Sequence, residues 1–176
     1  DKRYIKNGDI VSLDAGLIYK GYHSDAARTH GIGEISDEAQ KLIDVTRQSF
    51  FEGIKNAKPG KHLVDIARGI QTYAENNHFS VVRDLVGHGI GTSLHEEPEI
   101  PNFVRLRRGA KLQKGMTLAV EPMINAGTYD VWWMDDDWTV VTRDGRLSAH
   151  YENTIAITED GCEILTMLPE EFAEVK

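Results

Sequence analysis

Alternating apolar and polar residues open the chain and predict a β-hairpin. Residues 9 to 18 and residues 22 to 30 each alternate between two sides, and Tyr19-Lys20-Gly21 lies between them. A short loop between two such runs is typical of antiparallel strands that pair with each other. We therefore expect the two segments to be neighbours in a sheet.

Helical periodicity follows the hairpin. Ser36 offers an N-cap, and apolar residues then recur at three- and four-residue spacing until Pro59-Gly60 ends the run. A second amphipathic run begins at Leu63 and ends near Asn76-Asn77. These two runs predict two helices of several turns.

From Phe79 onward the pattern is that of strands and loops. Strands are expected around residues 116 to 124, 138 to 142 and 147 to 158. The complete series of elements predicts the α+β class, in which helices pack on one side of an antiparallel sheet.

Length, charge and cysteine content narrow the class of protein. The 176 residues, 40% of them hydrophobic, suit one domain spanning residues 1–176. The net charge of -8 argues against nucleic acid bound through a basic patch and against an anionic membrane surface. No apolar run is long enough for a bilayer span, and no signal peptide opens the sequence. Because Cys162 is the single cysteine, no internal disulfide can form, and the cytoplasm is the expected compartment.

Four carboxylates lie inside predicted strands, where strand statistics disfavour them. Asp14, Asp25, Glu121 and Glu152 each alternate with small residues, so their faces are less crowded than the opposite ones. A two-residue loop at Tyr19-Lys20 would set Asp14 directly opposite Asp25, and a four-residue loop would make them diagonal neighbours on one face. Both registers remain open at this point.

Clustered carboxylates need a compensating charge. Buried without one, they would cost several kcal/mol each or take up protons, and divalent cations are the more natural solution. The alternative is that each acid faces solvent. The run Asp135-Asp136-Asp137 is interpreted in that way, as a solvated loop.

The segment GHGIGTSLHEEP supplies two histidines, His88 and His95. A neutral imidazole is a common ligand of transition metals, so His88 and the four carboxylates form a set suited to Mn, Fe, Co or Zn. His95 would then lie behind a ligand or face a substrate. The remaining histidines are interpreted as structural or exposed: His23, His30, His62, His78 and His150.

The ordered motifs resemble those of type I methionine aminopeptidases, which are pita-bread metallopeptidases. The resemblance rests on Asp14, on GYHSD ending at Asp25, on GHGIGTSLHEEP, on AVEP at Glu121, and on DDWTVVTRDGRLSAHYENT through Glu152. It covers nearly the whole chain, and it implies the pita-bread fold with its N-terminal part absent. The short segment between His88 and Glu121 favours type I over type II enzymes, which carry a long insertion there.

The resemblance also implies a role for each position. Asp14 would bind one divalent metal ion, Asp25 and Glu152 would bridge two, and His88 and Glu121 would bind the other. The two ions would be Co, Mn, Fe or Zn, and a water or hydroxide that bridges them would attack the scissile carbonyl. The resemblance further implies that Glu121 is a proton-shuttling carboxylate and that His95 is an imidazole that contacts the substrate. Leu94 and Trp138 would lie near the methionine pocket.

The implied reaction is the removal of N-terminal methionine from nascent proteins and peptides. The partners would be the N-termini of nascent polypeptides, which such an enzyme could meet at the ribosome. Because the family chain begins well before Asp1, we expect this chain alone to be a weak or inactive catalyst with an open sheet edge and an uncovered apolar face.

Three other functions fit parts of the pattern. An Xaa-Pro aminopeptidase or prolidase shares the five-ligand plan, although its histidine segment typically has different spacing. A pita-bread binding module without catalytic activity usually loses ligands, and here all five positions are present. Two histidines with one carboxylate would instead suit a non-haem iron oxygenase.

Overall fold

The computed structural model describes residues 4–168 and residue 171, and it has an α+β architecture. Two helices follow an N-terminal hairpin, and ten short strands follow the helices. In chain order the elements are β1 (Ile10–Tyr19), β2 (Tyr22–Gly31), α1 (Asp37–Ile54), α2 (Leu63–Asn76), β3 (Ser80–Val81), β4 (Gly87–Gly89), β5 (Glu96–Ile100), β6 (Thr117–Val120), β7 (Met123–Asn125), β8 (Val131–Trp133), β9 (Val140–Thr142), β10 (Ser148–His150), β11 (Glu152–Ile157) and β12 (Cys162–Ile164).

The predicted hairpin is present, with its turn one residue later than Tyr19-Lys20. Tyr19 pairs with Tyr22, so Lys20 and Gly21 form the two-residue loop. Both have positive φ, 51° and 84°, which is the conformation of a type I′ hairpin turn and which glycine adopts without steric cost. The turn chemistry therefore decides the register.

This register corrects the predicted contact between the two aspartates. Asp14 lies opposite Ala27, and Asp25 lies opposite Gly16. The two carboxylates are diagonal neighbours on one face and are not directly opposite. The expectation of a shared face is confirmed, while direct pairing is wrong.

Both helices begin as predicted. The Ser36 hydroxyl accepts a hydrogen bond from the Ala39 N–H at 3.2 Å, which caps α1. The Asp65 carboxylate accepts one from the His62 N–H at 2.9 Å at the start of α2. The helix α1 ends at Ile54, earlier than Pro59-Gly60. From there the chain continues in turns whose hydrogen bonds span fewer residues than those of an α-helix.

The main sheet has seven strands in the order β1-β2-β11-β6-β4-β5, with β12 also paired to β11, and every pair is antiparallel. Small sheets are formed by β10-β7-β3 and by β8-β9. One side of the main sheet belongs to the same hydrophobic core as the helices, through Leu118, Val120, Ile155 and Ile157 on the strands and Leu42, Phe50, Ile66 and Ile70 on the helices. The other side is left to the polar residues with the opposite alternation.

The hairpin extends beyond this core. Strand β1 is the edge of the sheet, and Leu13, Leu17, Tyr19 and Tyr22 on the hairpin are 60 to 67% exposed. The expected open edge and uncovered apolar face are therefore both observed. Within residues 4–168, neither helix has the length and apolarity that a bilayer crossing would require.

One hydroxyl joins the hairpin to the centre of the sheet. The ladder between β2 and β11 pairs Ala27 with Glu152 and Ala26 with Asn153. Beyond it, the buried Thr154 hydroxyl accepts a hydrogen bond from the Asp25 N–H and donates one to the Asp25 carbonyl, both at 3.0 Å. The Thr154 hydroxyl thus makes the hydrogen bonds to Asp25 that backbone groups make elsewhere in the ladder.

We expect Thr154→Val to lower the free energy of unfolding by about 1 to 3 kcal/mol, because two buried backbone groups of Asp25 lose their partner. Thr154→Ser keeps the hydroxyl and should cost less. Urea unfolding of both variants and the wild type would measure this difference. Equal losses in the two variants would show that the methyl group, and not the hydroxyl, stabilises the junction.

Candidate metal centre

Strand register brings the five proposed ligands onto one face of the main sheet. Asp14 and Glu152 both lie opposite Ala27, from the two sides of β2, and Asp25 lies two residues from Ala27. His88 lies opposite Ala119, and Glu121 follows Ala119 by two residues. The alternation that points apolar residues into the helix-covered core therefore points these five side chains the other way.

His88 lies between two of the carboxylates. Its Nε2 is 3.5 Å from Glu121 Oε1 and 3.9 Å from Asp25 Oδ2. Its Nδ1 is 2.9 Å from the carbonyl oxygen of Gly89. Donation from Nδ1–H to this carbonyl leaves the lone pair on Nε2, directed at the acids, which is the orientation of a metal-ligating histidine.

Two groups of possible ligand atoms share Glu152. The first comprises Asp25, His88 and Glu152, and the second comprises Asp14, His150 and Glu152, with the atoms of each group within 4.8 Å of one another. Glu152 is only 1% exposed, and its Oε1 has no hydrogen-bond partner within the described residues. A buried, unpartnered carboxylate oxygen among other acids fits a divalent cation.

Burial and mutual repulsion make these acids hard to ionise without a cation. Burial, with Asp14 and Asp25 nearby, raises the pKa of Glu121 to about 8. Burial, together with Glu121, Asp25 and Asp14, raises the pKa of Glu152 to about 9. The pKa of Asp25 is also raised, first by burial and then by the charge of Asp14. Metal ligands must be deprotonated, so metals and protons compete here.

An arginine on the opposite face of the sheet supports this cluster. Arg28 donates hydrogen bonds to the Glu152 carbonyl at 2.5 Å and to Asn153 Oδ1 at 2.8 Å, and its guanidinium lies 4.3 Å from the centre of the Tyr151 ring. It also forms an ion pair with Glu171 at 2.8 Å. This role of Arg28 could not be predicted from the sequence, because the contacts join residues more than 100 positions apart.

His150 is the residue that the sequence interpretation missed. Its Nδ1 is 4.0 Å from Asp14 Oδ2 and its Nε2 is 3.7 Å from Glu121 Oε2. Burial lowers its pKa, so the ring tends to be neutral. The structure thus places His150 among the proposed ligands, and its interpretation as a structural residue stays a prediction. A signal was available, since His150 and Glu152 have the same alternation within the predicted strand 147 to 158.

The three residues expected to contact substrate, His95, Leu94 and Trp138, differ in their burial and in their contacts. The ring of His95 lies edge to face against His88, 4.3 Å between centroids, and the side chain is exposed. Leu94 lies close to Gly16 and is partly buried. Trp138 is 85% exposed, in the turn between β8 and β9 that also contains the expected solvated run Asp135-Asp136-Asp137. Of these three residues, His95 is the one in contact with a proposed ligand.

Sequence and structure comparisons identify the relatives of this chain. The profile described as metallopeptidase family M24 matches residues 1–159. The methionine aminopeptidase of Clostridium perfringens is 60% identical over 164 residues, which make up 93% of this chain and 66% of that protein. The crystal structure of methionine aminopeptidase from Rickettsia prowazekii is 45% identical with a TM-score of 0.92, over 95% of this chain and 68% of that one.

A more distant likeness concerns the fold alone. Prolidase from Pyrococcus furiosus is 22% identical with a TM-score of 0.74, over 96% of this chain and 44% of that one. The present chain spans about two thirds of the length of the methionine aminopeptidases that it matches. Because the M24 profile extends over most of the sequence and the described architecture is the pita-bread fold of these structures, the chain belongs to metallopeptidase family M24.

Proposed function

We propose that this chain forms the catalytic part of an enzyme that removes N-terminal methionine from proteins and peptides. The observation that carries the proposal is the convergence of four carboxylates and an imidazole on one sheet face: Asp14, Asp25, His88, Glu121 and Glu152. The likeness to methionine aminopeptidases supports this reaction over other hydrolyses.

The donor set determines which cofactor would fit. Four carboxylates and an imidazole would hold two divalent ions, with Co, Mn, Fe and Zn as candidates. When bound, such ions would supply Lewis acidity toward the scissile carbonyl and an activated water nucleophile. Glu152 belongs to both groups of ligand atoms, so it would contribute to both ions.

The chain's own side chains would then bind substrate and move protons. Glu121 lies next to His88, and its carboxylate can accept and release a proton during peptide hydrolysis. His95, exposed beside His88, can donate a hydrogen bond to the oxygen of the scissile carbonyl. The acidic cluster attracts a free α-ammonium group, which would restrict cleavage to N-termini.

Methionine itself would be recognised near the rim of the site. We assign Leu94 and Trp138 to the side-chain pocket, with Leu94 beside Gly16 and Trp138 supplied by an exposed turn. The substrates would be the N-termini of nascent polypeptides in the cytoplasm, met at the ribosome. Nucleic acid and membrane are not proposed as partners, given the net charge of -8.

Two alternatives differ in a measurable way. An Xaa-Pro aminopeptidase would use the same ligands on a different peptide, and a silent binding module would cleave neither. The oxygenase alternative requires two histidines and one carboxylate, whereas four carboxylates lie on this face.

The first prediction from this proposed function concerns metal and pH. In metal-free protein, Glu121 and Glu152 keep their protons well above the pKa of about 4.3 expected in the unfolded chain. The folded state therefore binds more protons between pH 7 and 9, and its stability should fall as pH rises through this window, on the order of 1 kcal/mol per pH unit. Because burial lowers the pKa of His150, its ring is neutral in the folded state in this window and adds little to the pH dependence of stability.

With saturating Mn²⁺ the slope should reverse, because protons compete with the metal for the same carboxylates. Thermal unfolding at pH 7, 8 and 9, with chelator and with Mn²⁺, measures both slopes. Glu152→Gln, which cannot ionise, should flatten the metal-free slope. Parallel pH dependence with and without Mn²⁺ would argue against a metal centre at these residues.

The second prediction concerns substrate choice. With Co²⁺ or Mn²⁺ present, the 176-residue chain should release methionine from Met-Ala-Ser faster than it releases alanine from Ala-Pro-Gly. The ratio of the two rates is the measured quantity, because the absolute rate of a chain shorter than its relatives is expected to be low. Faster cleavage of Ala-Pro-Gly would favour the Xaa-Pro alternative.

The third prediction concerns proton transfer by Glu121. Glu121→Gln should lower kcat for Met-Ala-Ser at least about 100-fold at saturating metal, with a smaller change in KM, because the amide cannot accept a proton. Glu163→Gln, an exposed change on β12, serves as the matched control. A loss expressed entirely in KM would assign Glu121 to binding instead of proton transfer.

A further inference from the structure

A second histidine faces the proposed ligands from the side opposite His88. The two carboxylate oxygens of Glu121 each point to one of them: Oε1 is 3.5 Å from His88 Nε2, and Oε2 is 3.7 Å from His150 Nε2. The two groups of ligand atoms share Glu152 and contain one histidine each. The cluster is therefore nearly symmetrical about Glu121 and Glu152.

The position of His150 is fixed by its backbone. The His150 N–H donates a hydrogen bond to the Thr29 hydroxyl at 2.8 Å, and this hydroxyl donates one to the His150 carbonyl, also at 2.8 Å. The contact joins β10 to β2, the strand that carries Asp25. The side chain of His150 is 14% exposed, so its ring is held against the acids and has little freedom to turn to solvent.

The spacing around the ring suits a shared ion better than direct hydrogen bonds. His150 Nδ1 lies 4.0 Å from Asp14 Oδ2, and the other nitrogen, Nε2, lies 3.7 Å from Glu121 Oε2, and both distances exceed the hydrogen-bond range. Two atoms that each lie roughly 2.1 Å from one ion can be at most about 4.2 Å apart. His150 Nε2 is buried without a hydrogen-bond partner among the described residues and faces the Glu121 carboxylate. A proton on Nε2 would therefore face a carboxylate, and the lone pair on Nδ1 would be left for the ion that Asp14 holds.

We infer that His150 is a sixth ligand of the centre, binding the ion that Asp14 and Glu152 hold, so that each of the two metals receives one imidazole nitrogen. This inference rests on the metal centre proposed above and adds a residue to it. One nitrogen at each position favours Co, Zn or Ni over Mg or Ca at both. With His150 included, the two metal positions have more similar sets of ligands than they would have with the five ligands alone.

The test uses the 176-residue chain, freed of metal and titrated with Co²⁺. In the Co²⁺-loaded protein each coordinated histidine gives a strongly shifted, exchangeable imidazole N–H signal in the proton NMR spectrum. The wild type should show two such signals at two Co²⁺ per chain. His150→Gln should show one, and calorimetry should find the affinity of one Co²⁺ lowered at least about tenfold. His88→Gln should lose the other signal.

The control is His30→Gln, which removes an exposed imidazole from the end of β2 and should keep both signals and both affinities. X-ray absorption of the wild type gives an independent count, with one nitrogen per cobalt expected and one nitrogen per two cobalts contradicting the inference. This count does not depend on whether His150→Gln folds. Two unchanged signals in folded His150→Gln would overturn the role of His150 alone, whereas absence of Co²⁺ binding by the wild type would overturn the metal centre as well.

Discussion

The repulsion among four carboxylates on one sheet face is the constraint on which the rest of this structure depends. Each would ionise readily in water, yet Asp25 and Glu152 are more than nine-tenths buried. The helix-covered core packs against the opposite face of β6 and β11 and thereby holds Glu121 and Glu152 close to each other. Thr154 ties Asp25 to β11, and Arg28 ties the Glu152 backbone to β2. The favourable free energy of core packing thus offsets the repulsion among the four carboxylates.

That enforced proximity also explains the chemistry that the site can support. Burial that raises the pKa of Glu121 and Glu152 disfavours bare anions, and either protons or metal ions can relieve the cost. At neutral pH both solutions are accessible, because the two pKa values lie near 8 and 9. In the metal-free protein these carboxyls take up and release protons near these pH values, whereas bound cations would displace the protons. The same electrostatics thus underlie cation binding and acid–base chemistry.

The sequence predicted the helices, the hairpin and the common face of the acids, because all three follow from local periodicity. The register of the hairpin depended on whether the loop began at Lys20, and the positive φ of Lys20 and Gly21 settled it. His150 was missed because each histidine was judged singly, although its alternation with Glu152 was visible. The contacts of Thr154 and Arg28 could not be predicted, since nothing local indicates that β11 lies beside β2. Trp138 lies in a turn, where strand periodicity carries no information about direction.

The two halves of the cluster differ in how firmly the fold holds them. Asp25, His88 and Glu152 lie on central strands and are all at most 9% exposed. Asp14 lies on the edge strand, and its side chain is 55% exposed. The apolar residues of that strand, Leu13 and Leu17, face solvent on its other side. An edge strand with little packing opens more readily than a central one, so the position of Asp14 depends on whatever contacts this hairpin. The half of the centre formed by Asp14 and His150 is therefore the half whose geometry a covering segment or partner chain would tighten.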